Sequence, residues 1–229
     1  MKRRSNHTFN NNKKIIFGDI LFIISLLGLL TLILIGITYH IGVLALPQGN
    51  INTNNTNNNI SLSTLIKEGS PHLGSISAPI TVIDFSDFQC HLCARYVKAT
   101  EPEVNQTYIQ TGKVNLVFKH LPNRSSDSMG VAIAAQCTND QGKFWQFHNL
   151  LYKNQGPIDS GWVNKDNVKK FASQLKGLDM QKFNSCFNSQ KFKPFVESDL
   201  ALAHSLGFTQ IPSFIIVKSD GSMYGCVNG

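Results

Sequence analysis

Residues 79–93, PITVIDFSDFQCHLC, decide the fold. Pro79 to Phe85 is a β-branched and apolar run closed by Ser86 and Asp87, the pattern of a short buried strand. That strand runs directly into Cys90-His91-Leu92-Cys93. The two cysteines span one helical turn, so their sulfurs can meet as a disulfide, or one can attack while the other resolves. At the start of a helix the Cys90 sulfur faces unpaired backbone N–H groups and the positive end of the dipole, which favour thiolate over thiol. Cys90 is therefore expected to be the more acidic and accessible thiol, with Cys93 shielded one turn on, and a protonated His91 would add to the effect. Taken alone, the motif also fits a zinc half-site or a plain structural disulfide. Zinc needs about four ligands, and no second C-x-x-C or H-x-H group accompanies this one, so no metal site is expected.

Outward from the motif, Ala94, Val97, Val104 and Ile109 mark a helix face bent or interrupted at Pro102, and VNLVFKHL (114–121) reads as a second strand. From Ser125 to Leu206 the apolar residues recur with helical periodicity. SFIIVK (213–218) follows Pro212 as a strand, and Asp220-Gly221 turns it into the short partner SMYGCV. The order is strand, helix, strand, helices, hairpin, an α/β arrangement without internal repeats. Asp84, six residues before Cys90, sits near the strand end, where its carboxylate could take the proton from Cys93 during exchange. Burial would raise its pKa toward a useful range, the alternative being an Asp paired or capped locally. Asp87 is expected to cap the coming helix, Phe85 and Phe88 to pack in the core or its rim, and His148 to pack within a helix.

The chain has 229 residues, enough for one ordinary domain plus appendages. Its formal charge of +7 is concentrated at one end: Lys2, Arg3, Arg4, Lys13 and Lys14 supply five of the 21 basic residues. The weak scattered excess that remains gives no footprint for a phosphate backbone, so no nucleic-acid partner is expected. Ile20 to Tyr39 carries no formal charge and is rich in Leu and Ile, long enough as a helix to span a bilayer. The chain is accordingly divided into a cytoplasmic N-terminus (1–14), a membrane anchor (15–46, core 20–39), an Asn-rich tether (47–69) and a folded domain (70–229). The basic cluster before the anchor places the N-terminus in the cytoplasm and the domain outside the cell membrane. A cleaved signal peptide, with Val43 and Ala45 before the cut, is the other reading. Both put the domain where disulfides persist.

SPHLGSISAPITVIDFSDFQCHLC (70–93) resembles the opening of the DsbA-like thiol:disulfide oxidoreductases of the thioredoxin superfamily, and GFTQIPSFIIVKSDG (207–221) resembles their second signature. AAQCTNDQGKFWQFHNLLY (134–152) and FNSCFNS (183–189) resemble the helical insert of bacterial and archaeal members. The likeness implies a thioredoxin-like α/β fold with a helical insertion over about 125–206, here preceded by one transmembrane helix. It implies that Ile211–Pro212 is a cis bond facing the cysteines, where Pro212 by itself would read as an ordinary turn. The backbone of Ile211, with His91 and Leu92, would then contact an extended client. It also implies that Asp84 is the buried acid beneath the site, that clients are cysteine-containing proteins, and that a membrane protein exchanges electrons with the pair. No cofactor is implied. His91 stands where the family often has proline, which leaves the redox potential open. The chain reaches Gly229 just after the hairpin, where the fold normally adds a last helix, so either that helix is missing or the product is incomplete.

An oxidising compartment favours pairing Cys137 with Cys186 in the insert, the alternative being two independent buried thiols; Cys226 is left as a free thiol or an intermolecular bridge. The expected function is disulfide exchange in client proteins, with oxidation the favoured direction. A reductase or isomerase of the same fold, and a tethered binding module with an inert C-x-x-C, are the alternatives.

Overall fold

The computed structural model describes residues 62–228. The expected cytoplasmic segment, the membrane anchor and the tether up to residue 61 lie outside them. Among the described residues no helix is long and apolar enough to cross a membrane.

Five strands, β1 (His72–Leu73), β2 (Ile80–Ser86), β3 (Val114–His120), β4 (Ser213–Lys218) and β5 (Met223–Asn228), form one sheet in the order β1-β3-β2-β4-β5. The β2–β3 pair is parallel, and the β1–β3, β2–β4 and β4–β5 pairs are antiparallel. β3 is buried at every position, as a strand covered on both faces must be, whereas β4 alternates buried and half-buried residues. β2 holds the centre of the sheet and delivers its C-terminal end to the cysteine turn.

Helix α1 (Leu62–Leu65) precedes the sheet, and α2 (His91–Ala99) and α3 (Glu101–Val104) follow β2. The expected interruption falls between α2 and α3, with Pro102 in the first turn of α3, where its missing N–H costs nothing. A π-helical turn, Asn105–Ile109, then leads to β3. The insertion consists of α4 (Ser128–Asn139), α5 (Phe144–Lys153), α6 (Lys165–Ser173), α7 (Met180–Asn188) and α8 (Lys193–Ser205). Helix α4 packs against the other four and is buried continuously from Val131 to Thr138, so over that stretch it turns no face to solvent. Its Cys137 is bonded to Cys186 of α7, with the Cα atoms 5.9 Å apart.

The tether expected over 47–69 has a different boundary. Residues 62–69 belong to the folded unit because they bury an apolar side chain and satisfy a buried charge. Leu65 is fully buried in the main core. Lys67 donates to the Phe195 carbonyl (2.9 Å) and lies 3.3 Å from the Asp199 carboxylate of α8. The same carboxylate accepts a 3.0 Å bond from the buried Lys119 of β3, and its second oxygen accepts the His120 N–H at 3.2 Å. Lys119 also donates to Ser70 at 3.0 Å. A buried lysine is tolerated only when its charge is compensated in this way.

Replacing Cys137 and Cys186 together by Ala opens a loop with a sequence separation of 49. Chain entropy predicts a loss of about 4 kcal/mol, read from denaturant melts of parent and variant. Peptide mapping without reduction should recover the linked pair from the parent; finding both thiols alkylated under denaturing, non-reducing conditions would remove the bond.

Candidate active site

Cys90 is the N-cap of α2: its backbone is extended (φ −79°, ψ 118°) and its Sγ accepts the Cys93 N–H at 3.1 Å. Both cysteines are thiols in this structure. The hydrogen bond from the Cys93 thiol is the largest influence drawing Cys90 down to about 7. The N–H groups of Cys93 and Leu92 and the charge of Arg124 act in the same sense, against burial. Cys93 moves far the other way, because burial, its bond to Cys90 and the nearby charges of Cys90 and Asp84 all favour the thiol. The pair is thus split into an acidic sulfur and one that holds its proton, a difference that thiol–disulfide exchange can use.

Two expectations are corrected here. Asp87 does not cap α2, because the cap position is taken by Cys90. The Asp87 carboxylate instead accepts the N–H groups of Gln89 (2.9 Å), Asn123 (3.0 Å) and Arg124 (2.9 Å), tying the loop after β3 to the active-site turn. That tie holds Arg124 where its charge favours the Cys90 thiolate. Nor is Cys90 openly accessible: it is 2 % exposed. Its Sγ lies 3.6 Å from the Ile211 carbonyl, in the loop that covers it.

The peptide bond Ile211–Pro212 is cis and immediately precedes β4. Both residues are buried, and the Ile211 carbonyl faces the Cys90 sulfur. His91 and Leu92 point outward, Leu92 being 44 % exposed. One residue without any sequence signal organises this turn. Gln155, in the loop after α5, donates its amide to the carbonyls of Phe88 (2.7 Å) and Cys90 (3.0 Å). Two carbonyls can only accept, so the amide nitrogen must face them and the Gln155 oxygen must face His91 Nδ1, 3.0 Å away. His91 Nδ1 therefore carries a hydrogen. Tyr152 of α5 adds a bond from its hydroxyl to the Asp87 carbonyl at 3.1 Å.

Asp84 lies within β2, in register with Phe118 on one side and Phe214 on the other, and is 1 % exposed. Burial in this apolar frame pushes its carboxyl up to about 7; the Ser86 hydroxyl, donating at 2.5 Å, pulls down, and the Cys90 charge pushes up. A carboxyl poised near neutrality beside Cys93 can accept or return the proton of the resolving thiol. Phe85 and Phe88 are core residues, and His148 is fully buried among the rings of Phe118, Phe144 and Tyr152. Cys226 occupies β5 opposite Ile215, away from the C-x-x-C in the sequence and in strand register.

A central sheet that ends in a helix capped by the first of two cysteines, opposite a cis-proline, defines a thioredoxin-fold dithiol protein. The sequence model of the family described as Thioredoxin matches residues 67–221. The chain belongs to the thioredoxin family, and within it to the DsbA-like thiol:disulfide oxidoreductases. It is 25% identical over 169 residues to disulfide bond formation protein D of Bacillus subtilis, covering 73% of this chain and 76% of that protein. Among solved structures, Wolbachia pipientis alpha-DsbA1 superposes with a TM-score of 0.59 at 26% identity, over 70% of this chain and 83% of that one. Oxidised BdbD of Bacillus subtilis shares the fold, with a TM-score of 0.61 at 23% identity over 68% and 84% of the two chains.

The raised Asp84 pKa has a signed consequence. The folded state binds this proton more tightly than the unfolded chain, so the associated stability is fully present below 3.8 and is lost as pH rises through about 7. Asp84→Asn, neutral at every pH, should match the parent near pH 4 and exceed it above pH 7 by up to about 4 kcal/mol. Denaturant melts of both proteins across this range check it, and a pH-independent difference would refute the buried-acid assignment.

Proposed function

We propose that this protein catalyses disulfide exchange in cysteine-containing client proteins outside the cytoplasm, running as an oxidase while anchored to the cell membrane by its own N-terminal helix. The observation that carries the reading is the Cys90 sulfur accepting the Cys93 N–H at a helix start, 3.6 Å from the carbonyl before a cis-proline. In the oxidising direction a client thiolate attacks Cys90 of the disulfide form, and the sulfur–sulfur electron pair leaves on Cys93. A second client thiolate then attacks the client sulfur of the mixed disulfide and releases Cys90 as a thiolate. A stabilised Cys90 thiolate is a good leaving group and makes the disulfide the stronger oxidant, which supports this direction. The Ile211 backbone, and the exposed His91 and Leu92, offer the adjoining surface for an extended client segment.

Re-oxidation then requires an acceptor of two electrons, and a membrane redox partner within reach of the tethered domain fits that need. The anchor is assigned to residues 15–46 with its core at 20–39, the N-terminus being cytoplasmic, on the strength of the uncharged apolar run and the basic cluster before it.

With Cys93→Ala, a Cys90 thiolate that attacks a client disulfide can no longer be freed by attack from Cys93, so mixed disulfides on Cys90 should accumulate as high-mass bands on non-reducing gels and collapse on reduction. Cys90→Ala should form none, and Pro212→Ala should lengthen their life. A Cys93→Ala protein that traps nothing, together with a Cys90→Ala protein that keeps full exchange activity, would sink the oxidoreductase reading at this motif. Topology has its own check: protease added to spheroplasts should release a fragment beginning in the Asn-rich tether, and protection of residues 70–229 would overturn the outward orientation.

A further inference from the structure

Transfer of a disulfide to a client begins with a client thiolate, yet an ordinary cysteine thiol, with a pKa of about 8.5, is mostly protonated at neutral pH. A base beside Cys90 would speed that attack. Asp84 is 1 % exposed and does not meet a client arriving from solution. His91 does, because it directly follows Cys90 and stands exposed at the start of α2. Its Cα is about 3.8 Å from that of Cys90 across the peptide bond, and a sulfur bonded to Cys90 sits about 2 Å from Sγ. An imidazole on the adjoining residue is within reach of an atom attacking there.

His91 is not a free surface ring. Its Nδ1 lies 3.0 Å from Gln155 Oε1, and the same side chain is fixed in orientation by its bonds to the carbonyls of Phe88 (2.7 Å) and Cys90 (3.0 Å). Nδ1 carries the hydrogen, so in the neutral ring the free lone pair is on Nε2. Among the described residues no protein group bonds Nε2. The loop that brings Gln155 here is itself held in place. Asp159 adopts φ 58°, uncommon for a residue with a side chain, and its N–H points to Gln89 Oε1 at 3.4 Å. Gly156 lies so close to Trp162 that a Cβ would stand 2.9 Å from that side chain. A base next to the attacked atom, with a partner that fixes its tautomer, is the arrangement by which nucleophiles are activated.

We propose that His91 is the general base for the client thiol, and that Gln155 is the positioning residue that leaves its Nε2 lone pair free for this task. The inference rests on the oxidase reading of the site. The client S–H proton passes to Nε2 as the client sulfur attacks Cys90. A client–Cys90 bond forms, the Cys90–Cys93 bond breaks, and its electron pair leaves on Cys93, which takes the proton of Asp84. The imidazolium gives its proton to water and is ready for the second client thiol, whose thiolate attacks the client sulfur and frees Cys90 as a thiolate. His91 thus acts on the proton of the client, and Gln155 acts only through His91.

Two thiols separate a base from a merely structural role: a cysteinyl peptide, protonated at neutral pH, and para-nitrothiophenol, an acidic thiol already ionised there. Each is mixed with the oxidised full-length protein in stopped flow. His91→Ala should slow the peptide reaction on the order of a hundredfold and leave the para-nitrothiophenol rate unchanged. Gln155→Met should slow the peptide reaction about fivefold, the worth of one hydrogen bond, and add nothing to the loss in His91→Ala. Equal slowing of both thiols by His91→Ala, or of neither, overturns the base. Additive losses in the double variant overturn the positioning role of Gln155. Nitrogen-15 NMR of the unaltered protein decides even where a variant fails to fold: the neutral His91 ring should carry its hydrogen on Nδ1, and a ring protonated on Nε2 overturns the proposal. A parent protein that oxidises neither thiol removes the oxidase reading and the base together, whereas normal oxidation that His91→Ala leaves untouched removes the base alone.

Discussion

The hydrogen bond from the Cys93 N–H to the Cys90 sulfur is the contact on which the rest of the site depends. A helix start leaves its first N–H groups without partners, and here a sulfur takes the place usually filled by a Ser or Asp oxygen. A thiolate accepts such a bond better than a thiol, so the helix that needs a cap also stabilises the charge. The Cys93 thiol is the largest influence in the drop to about 7, and the Cys93 N–H, the Arg124 charge and the Leu92 N–H act in the same sense against burial.

Burial acts on the site with two opposite results. It hinders ionisation of Cys90, where local donors and Arg124 outweigh it, and it dominates at Cys93, Asp84 and Glu101, where donors are few. Neighbouring groups one helical turn apart thus differ widely in acidity, Cys90 drawn down and Cys93 pushed up. Such a cluster weakens the fold above neutral pH, since each buried acid resists ionising in place. The Cys137–Cys186 bond and the Lys119–Asp199 pair lie in the insert and at its junction with β3, away from the exchanging sulfurs, and hold the scaffold there.

The insert is more than a cover for the sheet. From α5 and the loop behind it come Tyr152 and Gln155, which bind the carbonyls of Asp87, Phe88 and Cys90 and so fix the turn on which the cysteine sits. The loop after β3 contributes Arg124 through its backbone bond to Asp87. Reactivity at Cys90 is therefore set by three segments that meet only in the folded molecule.

What the sequence alone determined was whatever follows from short-range periodicity: the buried strand into Cys90, the one-turn spacing to Cys93, the helical run across the insert and the final hairpin. Each is specified by neighbours within a few residues, so each can be read from the chain. Likeness of two signatures to a known family extended this to Asp84 and to the proline facing the cysteines. The two-residue β1 was too short to show any period, and Leu65 and Lys67 looked like tether because their partners, the core and Asp199, lie far along the chain. Asp87 looked like a helix cap because caps are local, but it was claimed by N–H groups more than thirty residues away. Gln155 carries no motif at all: an amide in a loop acquires its contacts only from what surrounds it. Tertiary structure alone decided these, because burial and long-range hydrogen bonding are properties of the packed chain and leave no trace in the spacing of its residues.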